Sequence, residues 1–337
     1  MGIRIEGTGS YLPPRIVTND DIASALDTTD EWIFSHTGIR SRHVAGEGET
    51  TSTMAAEAAR LALSAAGLGP ADVALIIVAT STPDYATFPS TACLVQAALG
   101  CVKAGAFDLQ AACSGFVYGL EQARGYVTLH PEAKVLVIGA ECLTRILDWT
   151  DRSTCILFGD GAGAVVVGHD GTDEPPVAAH SLLGADGTHG EFIARSGGTR
   201  ACPPFAPSGL PVFESRVSRP QLSLQGHDVF AFAVKTLAKV ACDLCERAGI
   251  AVSELDRVFA HQANGRIIEA TARRMKLPLE RFWLNLETTA NTSGASVPIS
   301  LDQAVRAGKL LPGMKIVMAG FGGGLTYGGL YSVWPRI

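Results

Sequence analysis

Apolar positions along the chain gather into short continuous runs of strand length, separated by longer stretches in which they recur every three or four residues. Residues 105–109 read as a strand and 114–126 as the helix after it. Residues 134–139 then form a run apolar enough to be buried on both faces. The same order returns later. Ser114-Gly115, Leu120-Glu121-Gln122-Ala123, Pro131 and Lys134-Val135-Leu136-Val137-Ile138-Gly139 recur as Ser293-Gly294, Leu301-Asp302-Gln303-Ala304, Pro312 and Lys315-Ile316-Val317-Met318-Ala319-Gly320. From the leucine onward the copies lie 181 positions apart. In each, a helix opening at a small-residue corner runs to a proline-marked loop and then to a buried strand. A weaker echo joins Ala66-Gly67-Leu68 and a strand at 73–79 to Ala248-Gly249-Ile250 and a strand at 257–260. The pattern predicts an α/β fold of two related halves, residues 1–172 and 173–337. Between their cores, at about residues 170–225, Gly, Pro, Ser and Thr become dense, with one short strand at 180–185. This loop-rich insertion reads either as a lid or channel wall or as a surface excursion.

Composition narrows the picture. With 337 residues, 47% hydrophobic and 18% charged, the chain can bury a large core as two domains or one fused unit. A net charge of −6 and the lack of any Lys/Arg run argue against a nucleic-acid partner. No apolar stretch reaches the roughly 20 residues of a membrane span, and the N-terminal residues alternate like a strand rather than a signal peptide. A soluble, cytoplasmic protein with no membrane partner is expected. Eight cysteines, mostly within apolar stretches, suit a reducing compartment. Cys242 and Cys245 form a CxxC, but the surrounding stretch 232–248 is helical and no second ligand pair follows, so they read as packing and no metal is expected.

Three residues carry candidate chemistry. Cys113, in Ala111-Ala112-Cys113-Ser114-Gly115-Phe116, stands at a strand-to-helix corner, where unpaired helix N–H groups favour thiolate over thiol. His261-Gln262-Ala263-Asn264 and Asn291-Thr292-Ser293-Gly294 lie at similar junctions and offer an imidazole and a carboxamide to the same site. Singly, each has a structural reading: a packed thiol, a structural histidine, a helix cap. Phe158-Gly159-Asp160-Gly161-Ala162-Gly163 superficially matches a dinucleotide fingerprint. A strand follows it where phosphate binding needs a helix, so NAD and FAD are discounted and the glycines are assigned to close packing. Gly322-Gly323-Gly324 ends the unit that mirrors the Cys113 unit and would let a backbone N–H approach a ligand oxygen.

Together, the Cys113 corner, the His261 and Asn291 segments, Asp30-Glu31-Trp32-Ile33 with Thr37-Gly38-Ile39-Arg40, Phe158 to Gly163 and Gly322-Gly323-Gly324 resemble β-ketoacyl-acyl carrier protein synthase III over nearly the whole chain. The resemblance implies a thiolase-like fold, five layers αβαβα from two pseudo-symmetric halves, and a homodimer. It implies transfer of an acyl group from acyl-CoA to Cys113, then decarboxylative Claisen condensation with malonyl-ACP or malonyl-CoA, in fatty-acid initiation or a secondary pathway. No metal or redox cofactor is required. The Cys113 and Gly323 N–H groups would hold the tetrahedral oxyanion, and His261 and Asn291 would donate to the enolate. The CoA adenine would lie between Trp32 and Arg152, with Asn264 and Arg266 along the pantetheine and phosphate path. Phe88 would shape the acyl pocket, sometimes across the dimer interface, and Phe230 is placed with the substrate-binding residues. Two departures from the family pattern weaken a positive rim: His36 replaces an arginine, and Ala231 follows Phe230 where a basic residue is usual. Both favour a CoA-bound extender over a carrier-bound one. Other readings are acyl transfer from Cys113 to an alcohol or amine, where Asn291 would be superfluous, and a non-catalytic partner subunit, against which the intact three residues argue.

Overall fold

A computed structural model describes residues 3–169, 171, 180–195 and 222–335; most of the loop-rich insertion therefore lies outside the described residues. Two mixed sheets form the frame. The first contains β1 (Ile3–Tyr11), β4 (Val73–Ala79), β5 (Gly105–Leu109), β6 (Lys134–Glu141) and β7 (Gly161–His169), in the order β1-β7-β6-β4-β5. The second contains β8 (His180–Ala185), β11 (Arg257–Ala260), β12 (Lys315–Gly322) and β13 (Thr326–Val333), in the order β11-β12-β13-β8. Two short pairs stand apart: β2 (Ile16–Thr18) with β3 (Ser41–His43), and β9 (Ile193–Arg195) with β10 (Leu222–Leu224). β4 runs parallel to β6 as β11 does to β12, and β7 and β13 return antiparallel in the same relative places. Where the first sheet has its fifth strand, β5, the second has, among the described residues, a single parallel bridge between Val258 and Phe282.

Helices fill the other three layers. α3 (Thr51–Ala65) and α4 (Thr91–Leu99) cover the outer face of the first sheet, and α7 (Gly226–Arg247) and α8 (Gly265–Met275) that of the second. α5 (Gly115–Leu129) and α10 (Ser296–Arg306) lie between the sheets. The smaller α1 (Asn19–Ala23), α2 (Asp30–Thr37), α6 (Arg152–Cys155) and α9 (Leu286–Thr289) line the edges. The central core joins Phe116 and Leu120 of α5 and Val297 and Leu301 of α10 to Val135 and Val137 of β6 and Ile316 and Met318 of β12. Leu136 and Ile138 instead face α3, and Val317 and Ala319 face α7. Both middle strands are thus apolar through 135–138 and 316–319, because each is covered on both sides there. The result is the five-layered αβαβα thiolase-like arrangement.

The internal repeat is visible in the backbone, with one correction at the corner. Ala112 (φ 46°) and Ser293 (φ 49°) both adopt the left-handed region and open short 3₁₀ turns leading into α5 and α10. The 181-residue offset therefore runs through the corner and matches Cys113 to Gly294, not Ser114 to Ser293. The sequence match there followed a run of small side chains, whereas the position is set by the turn. The weaker echo is a repeated helix end: Gly67 (φ 66°) and Gly249 (φ 68°) close α3 and α7, with Leu68 N–H to Leu63 O and Ile250 N–H to Cys245 O each 3.0 Å. The corners also cross between halves. A Cβ on Gly139 would come within 2.2 Å of Gly294 O, and one on Gly320, its counterpart, within 3.1 Å of Cys113 O.

Candidate active site

Cys113 stands on the turn between β5 and α5, against the carboxyl end of β12. A Cβ on Gly322 would approach the Cys113 nitrogen to 2.5 Å, so only glycine lets the strand pass. Gly323 borders the same corner, where an added Cβ would meet Ile193 O at 3.3 Å and Ala112 Cβ at 3.6 Å. Ser293 Oγ lies 3.2 Å from Cys113 Sγ and 3.1 Å from Glu141 Oε1. Burial pushes the Cys113 thiol up to about 12, and the Glu141 charge adds to the rise; the Ser293 hydroxyl and a backbone N–H only partly oppose it. This reverses the expectation of a thiolate favoured by the helix start. A helix terminus is worth about 0.3–1 kcal/mol to a charge, less than one pKa unit, while burial moves a group by several.

His261 follows β11, at the carboxyl end of the same sheet. Its N–H donates to Ala319 O at 2.7 Å and that of Gln262 to Ser296 Oγ at 2.9 Å, which ties the segment to β12 and to the start of α10. The imidazole is 1% exposed, meets the Phe321 ring edge-on with centroids 5.3 Å apart, and its Nδ1 has no hydrogen-bond partner among the described residues. Burial pushes it down to about 3, so it is neutral at any ordinary pH.

Asn291 is fixed from both sides by the glycine-rich segment that mimics a dinucleotide motif. Its N–H donates to Leu157 O at 2.9 Å and its carbonyl accepts from Gly159 N–H at 3.0 Å. Asp160 anchors that segment, fully buried and accepting from Ala45 N–H, Thr144 N–H and the Thr144 hydroxyl at 2.6–2.9 Å. Gly163 packs on α10, 2.5 Å from Ile299 N for an added Cβ, as expected for close packing. The Asn291 Oδ1 accepts from Ser293 N–H at 2.8 Å. Its oxygen is committed to the backbone, and its NH2 is the group left to donate. Asn291 and Cys113 are thus both joined to Ser293, which sequence reading left without a role. Glu141 was likewise passed over. Neither carries a local signal, because the bonds that join Ser293 to Cys113 and to Glu141 form only when the halves meet.

At the surface, Arg152 Cζ lies 4.6 Å from the Trp32 ring centre, and His36 stacks on Trp32 at 4.2 Å and 20°. Trp32 and Arg152 are together but in contact, so a base could lie between them only after the guanidinium swings aside. Asn264 caps α8, its Oδ1 accepting from Arg266 N–H at 2.8 Å, and its Nδ2 donates to His36 O at 3.1 Å. Arg266 Nε donates to Ser35 O at 3.1 Å, so both residues bind the end of α2 to α8. Phe230, 38% exposed, sits in the second turn of α7, while Phe88, 83% exposed, projects from the chain's own surface.

Two matched halves that bring a cysteine corner of one against the strand end and Ser293 of the other, with Asn291 held at Ser293 and a buried imidazole after the strand next to β12, define a thiolase-like acyl-transferring enzyme. The chain belongs to the 3-oxoacyl-[acyl-carrier-protein (ACP)] synthase III family, whose descriptions match residues 107–187 and, for the C-terminal part, 245–334. It is 48% identical over 326 residues to a β-ketoacyl-[acyl-carrier-protein] synthase III of Xylella fastidiosa (strain 9a5c), covering 96% of each chain. The 3-oxoacyl-[acyl-carrier-protein] synthase III structure from Aquifex aeolicus VF5 superposes with a TM-score of 0.88 at 40% identity, covering 99% of this chain and 100% of that one. The priming β-ketosynthase of the R1128 polyketide biosynthetic pathway does so at 0.88 and 38%, covering 99% and 96%. Among the described residues no helix is long and apolar enough to cross a membrane.

Proposed function

We propose that the protein moves the acyl group of an acyl-CoA onto Cys113 and then joins it, with loss of carbon dioxide, to a malonyl thioester. The observation that carries this reading is Cys113 set against β12 and Ser293 of the opposite half, which also carries a buried neutral imidazole after β11 and, held at Ser293, a carboxamide whose NH2 bonds to no group among the described residues. In the first half-reaction Sγ attacks the thioester carbonyl, and the oxyanion takes backbone N–H donors from Cys113 and Gly323 until the CoA sulfur leaves. In the second, the bond from the malonyl carbon to its carboxylate breaks, carbon dioxide departs, and the electron pair becomes an enolate. His261 and Asn291 donate to the enolate oxygen, and its carbon attacks the acyl group and expels Cys113 as thiolate. A neutral imidazole and an amide suit this step because neither gives up a full proton, so the carbanion is stabilised without being quenched.

The extender in this reading is carried by an acyl carrier protein, as the names of the relatives suggest. Although His36 and Ala231 remove two expected positive contacts, Lys235, Lys239 and Arg274 line one groove between α7 and α8 and offer charge to an acidic carrier. A homodimer is supported by β5, an edge strand of the first sheet on which Phe107 is 40% exposed, with Val102 at 81% and Phe88 at 83%. Phe88 would then shape the acyl pocket of the partner. A cytoplasmic setting suits the seven free cysteines among the described residues. Intact-mass spectra after mixing with a panel of acyl-CoAs, followed by malonyl-ACP or malonyl-CoA, test the reading. An acyl adduct on Cys113 that malonyl-ACP discharges as a β-ketoacyl product is expected. An adduct that neither malonyl donor discharges defeats it.

A further inference from the structure

Glu141 ends β6 with its carboxylate wholly inside the protein, 0% exposed. Its Oε2 accepts from the Thr82 hydroxyl at 2.6 Å and the Thr80 hydroxyl at 3.3 Å, and the Ser81 N–H reaches both oxygens at 3.1 and 3.2 Å. The Gly294 N–H also bonds to it, from the corner that mirrors Cys113. Oε1 lies 3.1 Å from Ser293 Oγ, which is 3.2 Å from Cys113 Sγ. One hydroxyl proton serves one neighbour at a time. The three side chains therefore form a string with two arrangements. In one, the thiol donates to Ser293 and Ser293 donates to the carboxylate. In the other, a protonated Glu141 donates to Ser293, and Ser293 donates to a thiolate.

We propose that Glu141, acting through Ser293, takes up the proton that Cys113 must lose before it attacks a thioester. The Sγ–H bond breaks and its proton joins Ser293 Oγ, the Ser293 proton passes to Glu141 Oε1, and the electron pair left on sulfur becomes the nucleophile. The trio keeps its single negative charge throughout. When the CoA sulfur departs from the tetrahedral adduct, the proton returns through Ser293 to that sulfur and Glu141 is a carboxylate again. Chemistry favours Glu141 over His261 for this task. Burial drives the imidazole down to about 3, which makes it a poor proton acceptor, whereas burial holds the Glu141 carboxyl up at about 7. Of ionisable groups, Cys113 faces Glu141 from the β5–α5 corner, while residues 80–82 and 293–294 present hydroxyl and amide donors. Glu141 and Ser293 are positioning residues here, and Cys113 remains the group that touches substrate.

The proposal rests on Cys113 being the nucleophile, so its test reads the thiolate without any acyl substrate. Alkylation of Cys113 by iodoacetamide is followed by peptide mass spectrometry from about pH 5 to about pH 10. In the unaltered protein the rate should climb through a step near the Glu141 value of about 7. Glu141→Gln and Ser293→Ala should lack that step and react about tenfold or more slowly above it, with Glu141→Asp recovering part of the rate. If Glu141 acted by its charge alone, removing it would speed alkylation, because a nearby carboxylate disfavours a thiolate. Alkylation that is unchanged or faster in both variants overturns the relay. Should Glu141→Gln fail to fold by circular dichroism, Ser293→Ala, which keeps the charge, decides alone. Acyl-adduct formation is measured in parallel. A step in alkylation without any acyl adduct in the unaltered protein supports the relay while removing the proposed function.

Discussion

Cys113, His261 and Asn291 could be picked out as residue types at helix and loop corners, but what each side chain does depends on its surroundings. The thiol shows this most sharply: the helix start predicts a lowered pKa, and burial raises it to about 12. For His261 the two views agree on a neutral ring, and its burial has a measurable consequence. The folded ring resists protonation down to about 3, while the unfolded one titrates near its ordinary value of 6.5. The unfolded state therefore gains protons first, and stability falls as pH drops from about 6.5 toward 3, by at most about 1.4 kcal/mol per pH unit from this group. Urea unfolding in that window should show a shallower decline in His261→Gln. For the chemistry, Cys113→Ala should form no acyl adduct with any acyl-CoA by intact mass. His261→Ala and Asn291→Ala should still form the adduct but condense about a hundredfold or more slowly with malonyl-ACP. Equal loss of both half-reactions would contradict an enolate-specific role.

Strands and helices were legible where both ends have a local cause. The strand expected at 180–185 is β8, and the helix expected after Cys113 begins at Gly115, one residue later than read. α7 starts at Gly226 rather than 232, because its first turn is largely exposed and carries no apolar period. The close passage of β12 past Cys113 has no periodic signature at all; it shows only as a glycine at 322. Gly322→Ala should push the strand and the Cys113 backbone apart. We expect a loss of about 2–4 kcal/mol, read as a lower urea midpoint, together with severely reduced acylation. Asn264→Ala should cost about 1 kcal/mol through the lost α8 cap, and should also loosen α2, which the same side chain holds through His36.

The two sheets share one central core, so the molecule should unfold without a stable isolated half. The exposed edge at β5 predicts association: sedimentation should give a dimer, and Phe107→Asp should shift it toward monomer and, if Phe88 reaches across as proposed, change the acyl-CoA preference. A duplicated α/β fold and the strand-to-helix corner that holds Cys113 could be deduced from the chain's order, because apolar period, turn residues and corner motifs act over a few neighbouring positions. The meeting of Cys113 with Ser293, 180 positions away, and of Ser293 with Glu141, 152 positions away, could not. Nor could the ionisation of the thiol or the contact of Arg152 with Trp32. Those depend on which groups the packing of two halves brings together and how much water it shuts out, and neither quantity is written in any local stretch of residues.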